Sequence, residues 1–363
     1  MLTYDLPSLG WTAEFAEAFE DPAYEGLVPA RVAAQHRSGF LLYTQAGELA
    51  GKPSGRLRHL AAGAADFPVV GDWVAVRPDG ASGAIEAVLP RKSTFVRSDA
   101  DPTKLKTVAG AVVLAANLDL VMVVTAAFQD LNIRRLERYL AAAWDSGARP
   151  VVILTKTDLV DNAPELVRLI EAAAPGTTVL PVCSRTGEGV AEVRALIEPG
   201  RTAAFLGSSG VGKSTLINRL LGRARQSVSE VRADGRGRHT TTVRELILLE
   251  GGGLVLDTPG MRLFAPVDDA GLDAAFADIE ALARGCRFGD CRHEAEPGCA
   301  VQAAVEAGVL AGDRLAAWAK LHRELAHVER KDDKQAESAQ RKRWRAIHKA
   351  GRARTQEKRR GWD

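Results

Sequence analysis

Apolar residues first recur along this chain in short runs cut by glycine. Val28–Ala34, Phe40–Thr44, Glu48–Gly51, Val69–Val76 and Ala84–Leu89 read as strands, punctuated by Gly39, Gly47, Gly55, Gly71, Pro78-Asp79-Gly80 and Gly83. Short strands packed so closely predict either a small barrel such as an OB-fold or another small β-domain. From about residue 110 the period changes. Leu118–Thr125 is a continuous apolar run, as in a strand buried on both faces, and Ile133, Leu136, Leu140, Ala143 and Trp144 fall at helical spacing. Pro150–Thr155, Thr177–Ser184, Thr202–Gly207, Val243–Leu249 and Leu254–Asp257 read as further strands. Ala163–Ala174, Val190–Ile197 and Leu216–Leu221 read as helices between them. Strands alternating with helices predict a mostly parallel, doubly wound α/β sheet. Beyond Gly271 the pattern is helical, and Leu315, Trp318, Leu321 and Leu325 share one face of a helix over Leu315–His327.

The expected organisation is therefore multi-domain: a loosely ordered N-terminal extension (1–28), a β-barrel (29–100), an α/β domain (101–270), a small helical module (271–330) and a charged tail (331–363). A length of 363 residues suits two or three domains, and 46% hydrophobic residues suffice for full cores. No apolar run approaches the roughly 18 residues of a membrane span, and the acidic start lacks the basic region of a secretory signal. A soluble, cytoplasmic monomer with no membrane partner is expected. The net charge of +2 is uninformative, but residues 341–360 hold ten Lys or Arg and one acid, Glu357. That tail is suited either to tracking nucleic-acid phosphates or to a solvated terminal helix.

Chemistry concentrates in three motifs. Gly207-Ser208-Ser209-Gly210-Val211-Gly212-Lys213-Ser214, followed by Thr215, is a phosphate-binding loop between an apolar strand and a helix. Its glycines let backbone amides turn inward around phosphate, and the helix adds its positive end. Lys213 supplies a point charge, and Ser214 offers a hydroxyl to magnesium. Asp257-Thr258-Pro259-Gly260 ends a later strand. Asp257 suits a carboxylate holding Mg2+ through water, and the Gly260 amide suits sensing of a γ-phosphate. Between them Arg236-Gly237-Arg238-His239-Thr240-Thr241-Thr242 reads as a first switch, with Thr241 as a magnesium ligand, or else as a plain polar loop.

Thr155-Lys156-Thr157-Asp158 reads as a guanine-recognition motif. A carboxylate at Asp158 accepts from both N1–H and the exocyclic amine of guanine, whereas adenine offers an acceptor at N1. Lys156 would cover the base, and the Ser184 backbone amide in Cys183-Ser184-Arg185-Thr186-Gly187 would meet guanine O6. Thr155 stands where Asn is more usual, which predicts weaker bracing of the base loop. Met261 follows Gly260 where small GTPases carry a water-orienting Gln, so intrinsic turnover should be slow. His239 is the catalytic candidate, or a surface residue. The base motif precedes the phosphate loop in this chain, the reverse of ordinary GTPases, so the chain reads as circularly permuted.

Three of the four cysteines lie within residues 286–299. Cys286, Cys291, His293 and Cys299 form C-x4-C-x-H-x5-C, a donor set for one closed, tetrahedral, structural Zn2+.

The permuted order, Gly207–Ser214, Arg236–Thr242, Asp257–Gly260, the Cys286–Cys299 spacing and Gly71-Asp72-Trp73-Val74 together resemble the ribosome small subunit-dependent GTPase A family, also called RsgA or YjeQ. The resemblance covers roughly residues 28–330 and departs from the family at Thr155. It implies an OB-fold, a permuted GTPase domain and a zinc-binding C-terminal domain. It also implies binding to the small ribosomal subunit and its rRNA, with GTP hydrolysed to GDP under the subunit's stimulation during late maturation. Arg91, Lys92 and Arg97 would then be candidate RNA contacts of the barrel, or else a solvated interdomain segment. The competing reading is an RNA-binding assembly protein that senses GTP with little hydrolysis of its own.

Overall fold

A computed structural model describes residues 3–97, 112–128, 130–222, 244–257 and 269–326. Five strands open the described chain: β1 (Val28–His36), β2 (Gly39–Thr44), β3 (Gly47–Pro53), β4 (Trp73–Asp79) and β5 (Ser82–Val88). Neighbours pair in the order β1-β2-β3-β5-β4, and β4 returns to β1 through Val28↔Val76 to Arg31↔Trp73, which closes a barrel. The β3–β5 pairing is parallel and the others antiparallel, as in an OB-fold. Ala30, Val32, Leu42, Val74, Val76 and Ile85 fill the interior. The strand expected from Val69 begins only at Trp73, because Val69–Asp72 form the turn that enters it.

β6 (Thr94–Arg97) and β7 (Val112–Ala116) pair as a separate two-stranded ribbon that the sequence pattern did not announce. The α/β sheet follows, with β8 (Leu120–Ala126), β9 (Arg149–Thr155), β10 (Thr178–Val182), β11 (Thr202–Leu206), β12 (Glu245–Leu248) and β13 (Leu254–Asp257) in the order β10-β9-β8-β11-β13-β12. All but β12 run parallel. Every residue of β8 is buried, as expected of a central parallel strand with helices on both faces. Pro181 lies in β10, at the end of the sheet. At the other end Ala34 of β1 bridges Glu245 of β12, so barrel and α/β sheet are continuous.

The helices are α1 (Ala13–Phe19), α2 (Gly55–Leu60), α3 (Ile133–Asp145), α4 (Ala163–Ala173), α5 (Val190–Leu196), α6 (Lys213–Leu220), α7 (Asp269–Ala275), α8 (Ala277–Ala283), α9 (Ala300–Glu306) and α10 (312–326). Asn132 caps α3 by accepting from the Arg135 amide at 3.0 Å. Leu136 and Leu140 of α3, Ile170 of α4, and Leu272 and Phe276 pack with Val121, Val123, Val152 and Leu154 in one core. Val193 of α5 and Leu216, Ile217 and Leu220 of α6 pack with Met122, Val124, Ile153 and Phe205 in another. The sheet is thus covered on both sides.

Residues 3–27 are ordered, contrary to the expectation for 1–28. Leu9 and Phe15 are buried in the first core, and Trp11 meets Trp73 edge-on at 4.7 Å. Trp11, Phe15 and Phe19, spaced four residues apart at and before α1, carry this segment, a helical repeat of only three positions. Arg31 fixes the junction. Its fully buried guanidinium donates to the carbonyls of Leu9, Gly71 (3.1 Å) and Asn117 (3.0 Å) and to Thr202 Oγ1 (3.0 Å). Burial lowers its pKa to about 10, so it stays cationic at neutral pH. Gly71 has φ +93°, and a Cβ there would lie 2.1 Å from the Ala116 carbonyl, so no side chain fits.

The C-terminal helices are pinned by a second arginine. Arg314 of α10 donates to Asp278 (2.6 and 2.7 Å), Glu137 of α3 (3.1 Å), the Ala173 carbonyl of α4 (2.8 Å) and the Ala275 carbonyl (3.0 Å), and lies over the Phe276 ring. Arg31→Ala should lower unfolding free energy by about 3 kcal/mol or more, because the buried carbonyls of Leu9 and Asn117 lose their side-chain donor and a buried guanidinium's space is left empty. Urea denaturation followed by tryptophan fluorescence measures it, and a loss under roughly 1 kcal/mol contradicts the junction as described.

Candidate functional site

The parallel strands β8, β9, β11 and β13 end on the same edge of the sheet, where ligands of open α/β sheets gather. Register places Ala126 opposite Thr155, Leu206 opposite Val123, and Ala204 opposite Leu256. The loop 207–212 leaves β11 on that edge and opens into α6. Gly207 has φ +144°, and a Cβ there would meet the Val124 carbonyl at 2.2 Å, so the loop must start with glycine to lie against β8. The Lys213 ammonium folds over the loop and donates to the carbonyls of Gly207 (2.7 Å) and Ser208 (2.5 Å). Ser214 and Thr215 occupy the first turn of α6, half-buried.

β9 delivers Thr155–Asp158 to the same edge. The Thr155 hydroxyl, buried, lies 2.5 Å from the Val211 carbonyl of the phosphate loop and 3.2 Å from the Thr125 carbonyl. Bracing at this position runs through a single hydroxyl that reaches the loop backbone directly. Lys156 adopts φ +56° to turn the chain out of the strand. Asp158 pairs with Arg185 at 3.0 Å. Hydrogen bonds from the Cys183 thiol and from Arg185 hold its carboxyl below the ordinary value, so it is an acceptor at neutral pH. The Cys183–Glu188 loop is closed by two backbone hydrogen bonds, and Arg219 of α6 donates to the carbonyls of Ser184 (2.9 Å) and Arg185 (2.7 Å). Arg219 and Arg185 escaped the sequence reading. Only the tertiary fold brings the helix after the phosphate loop against the loop after β10.

Asp257 is the last residue of β13, beside β11; its side chain lies outside the described residues. So do His239, Thr241, Gly260 and the rest of the two switch segments.

Two of the three barrel cations are engaged in ion pairs. Arg91 makes a two-pronged pair with buried Asp72 (2.8 Å to each oxygen) and donates to the carbonyls of Ala65 and Phe67. Arg91 thus acts as a strut of the barrel, with 13% of its side chain exposed. Lys92 pairs with Glu14 (3.2 Å) and covers the Phe15 ring, and the Arg97 side chain lies outside the described residues.

Cys286, Cys291, His293 and Cys299 converge with all donor atoms within 4.8 Å of one another. The sulfurs of Cys286 and Cys299 are 3.9 Å apart, and His293 Nδ1 lies 3.6 and 3.4 Å from them. A tetrahedron with Zn–S near 2.3 Å has edges of about 3.8 Å, so these separations fit zinc. Burial holds His293 below the usual imidazole value, in the neutral form that ligates. Glu296 ties the turn by accepting from the amides of Arg292 (2.9 Å), Glu294 (2.9 Å) and Ala295 (3.1 Å), which lowers its pKa to about 2. The group can hold one zinc ion.

Residues 88–266 match the RsgA GTPase family. A protein of Opitutus terrae called small ribosomal subunit biogenesis GTPase RsgA is 46% identical over 368 residues, covering 96% of this chain and 97% of its own length. The chain belongs to the RsgA GTPase family. A relative of the same name from Streptomyces coelicolor is 44% identical over 98% of this chain and 96% of its own. Family membership makes the chain a GTP-hydrolysing enzyme. The crystal structure of YjeQ from Thermotoga maritima superposes with a TM-score of 0.64 at 27% identity, covering 83% of this chain and 99% of that one. The fold is also that of YloQ, a circularly permuted GTPase, with a TM-score of 0.61 at 20% identity over 85% of this chain and 98% of that one. The permutation read from motif order, the barrel and the α/β domain agree with these likenesses. Among the described residues no helix is long and apolar enough to cross a membrane.

The thiolate group yields a direct test. Titration with Co2+ should produce an intense thiolate charge-transfer band, and Cys286→Ser or Cys291→Ser should remove most of it. Absence of the band in the unaltered protein, or a band unchanged in both variants, would show that Cys286 and Cys291 do not ligate the metal.

Proposed function

We propose that this enzyme binds the small ribosomal subunit through its rRNA and hydrolyses GTP during late maturation of that subunit. What carries the reading is the contact of Thr155 with Val211, which joins the segment suited to guanine with the loop suited to phosphate. The names of the relatives support the partner. A ribosomal partner also argues for a cytoplasmic protein, acting as a monomer.

On this reading Asp158 accepts from the guanine edge, Lys156 covers the ring, Thr155 and Thr157 shape the loop, and the Ser184 amide meets O6. Arg185 must first leave Asp158. That costs little, because the pair is solvent-exposed and Arg185 is free to turn outward. Gly207–Gly212 wrap the phosphates with their amides, Lys213 turns from its carbonyls to the outer phosphates, and Thr215 lines the base of the loop. Mg2+ would be held by Ser214 and Thr241 and, through water, by Asp257, while the Gly260 amide senses the γ-phosphate. Charge on the transferred phosphoryl group is spread over these donors as it develops. His239 is the residue proposed to orient the attacking water, since Met261 cannot. One structural Zn2+ on Cys286, Cys291, His293 and Cys299 stiffens the C-terminal module, with no open position for catalysis. The units would be an extension (1–28), the barrel facing RNA (29–100), the catalytic domain (101–270), the zinc module (271–330) and the basic tail (331–363).

Turnover by the isolated protein should be slow and rise on adding purified small subunits; equal rates with and without them would refute the proposed partner. Asp158→Ala should abolish discrimination of GTP from ATP, read by competition with a fluorescent nucleotide. Thr155→Val keeps shape but removes the hydroxyl, so GTP affinity should fall about tenfold, the equivalent of about 1.4 kcal/mol. Unchanged affinity would mean that the contact does not organise the site.

A further inference from the structure

Next to the cysteine group stands a second convergence of donors with a different character. Asp273 of α7, Glu280 of α8 and His322 of α10 bring one ligand atom each to within 4.8 Å of the others. A shell with metal–oxygen and metal–nitrogen distances near 2.1 Å has edges of about 3–3.5 Å, so small rotations of the exposed Asp273 side chain close it. We propose that these three residues form a second, exchangeable site for a borderline divalent cation of the zinc class.

Three observations support the assignment. The donors come from three separate helices, so the convergence is a product of the tertiary fold and not of a local run of acids. The donor set is one imidazole and two carboxylates, which suits zinc or manganese and differs from the soft thiolate set beside it. The supporting shell is also in place. Trp318 donates from its indole N–H to Glu280 Oε1 at 3.1 Å, and its ring lies 4.3 Å from the His322 ring on one side and 5.1 Å from the His293 ring on the other. One tryptophan therefore orients ligands of both groups, as outer-shell partners of metal sites do.

Asp273 and Glu280 of the second group and Cys286 of the first line one cleft of about 490 Å³, together with Arg284 and Phe288. Three protein ligands would leave coordination positions open, whereas the cysteine group is complete with four. Arg284 stands on the same wall, so an anionic oxygen could complete the shell while pairing with the guanidinium. The physical effect of loading would be to staple α7, α8 and α10 to one another. This inference is independent of the guanine-nucleotide reading.

The test uses tag-free, full-length, nucleotide-free protein dialysed against excess buffered Zn2+, with bound metal counted by elemental analysis. The expected result is two zinc ions per chain in the unaltered protein and one in Asp273→Asn and in His322→Gln, with the cobalt–thiolate band retained in both variants. One zinc ion per chain in the unaltered protein, or two in both variants, overturns the proposal. Asp273 is exposed, so Asp273→Asn leaves packing untouched, and its retained thiolate band reports a folded module.

Discussion

A cation buried among neutral acceptors is the constraint on which the architecture rests. Arg31 has no carboxylate within its hydrogen-bond set; it is held by the carbonyls of Leu9, Gly71 and Asn117 and the hydroxyl of Thr202. Each acceptor belongs to a different part of the chain: the N-terminal segment, the turn into the barrel's fourth strand, the entry to β8 and the start of β11. A guanidinium out of water tolerates the loss of none of these partners cheaply. The four segments are therefore fixed with respect to one another at one edge of the sheet. β8 and β11 run from that edge to the opposite one, where the phosphate loop begins. The geometry of the nucleotide edge is thus referenced to the barrel through two fully paired strands.

Much of this was legible in the residues because period and motif spacing are local. Buried parallel strands such as β8 carry continuous apolar runs, and β3 alternates buried and exposed positions along its length. Glycines forced by close approach, such as Gly71 and Gly207, mark their places in the sequence. What escaped was set by partners far along the chain. The segment before Val28 carries a helical repeat of only three rings, Trp11, Phe15 and Phe19, and their partner Trp73 lies far along the chain. Arg91 looked like a surface cation because nothing in its neighbourhood announces Asp72, nineteen residues earlier, as its partner. The contact of Thr155 was not announced because the rule for its motif is written for asparagine, and the carbonyl it meets belongs to Val211. The ribbon of β6 and β7 joins short strands too brief to establish a pattern.

The C-terminal module is fastened by the same device in a different chemical form. Arg314 combines carboxylates with carbonyls, and through them α10 is tied to α3 and α4 of the α/β domain as well as to its own neighbours. Arg138 of α3 adds a pair with Glu324 at 2.5 Å. A displacement of α3 or α4 relative to the sheet would carry the module with it. The donor residues Glu280 and His322 lie on the same helices as these fastenings, α8 and α10.

The position of Pro181 has a consequence for how these molecules meet. The bridge between Ala34 and Glu245 joins β12 to the barrel at one end of the sheet, and among the described residues β10 is the terminal strand at the other. A strand from another copy docking there would need a ladder of amides, and proline interrupts it. The sheet thus ends in a poor template, which protects a concentrated solution of this protein against edge-to-edge polymerisation.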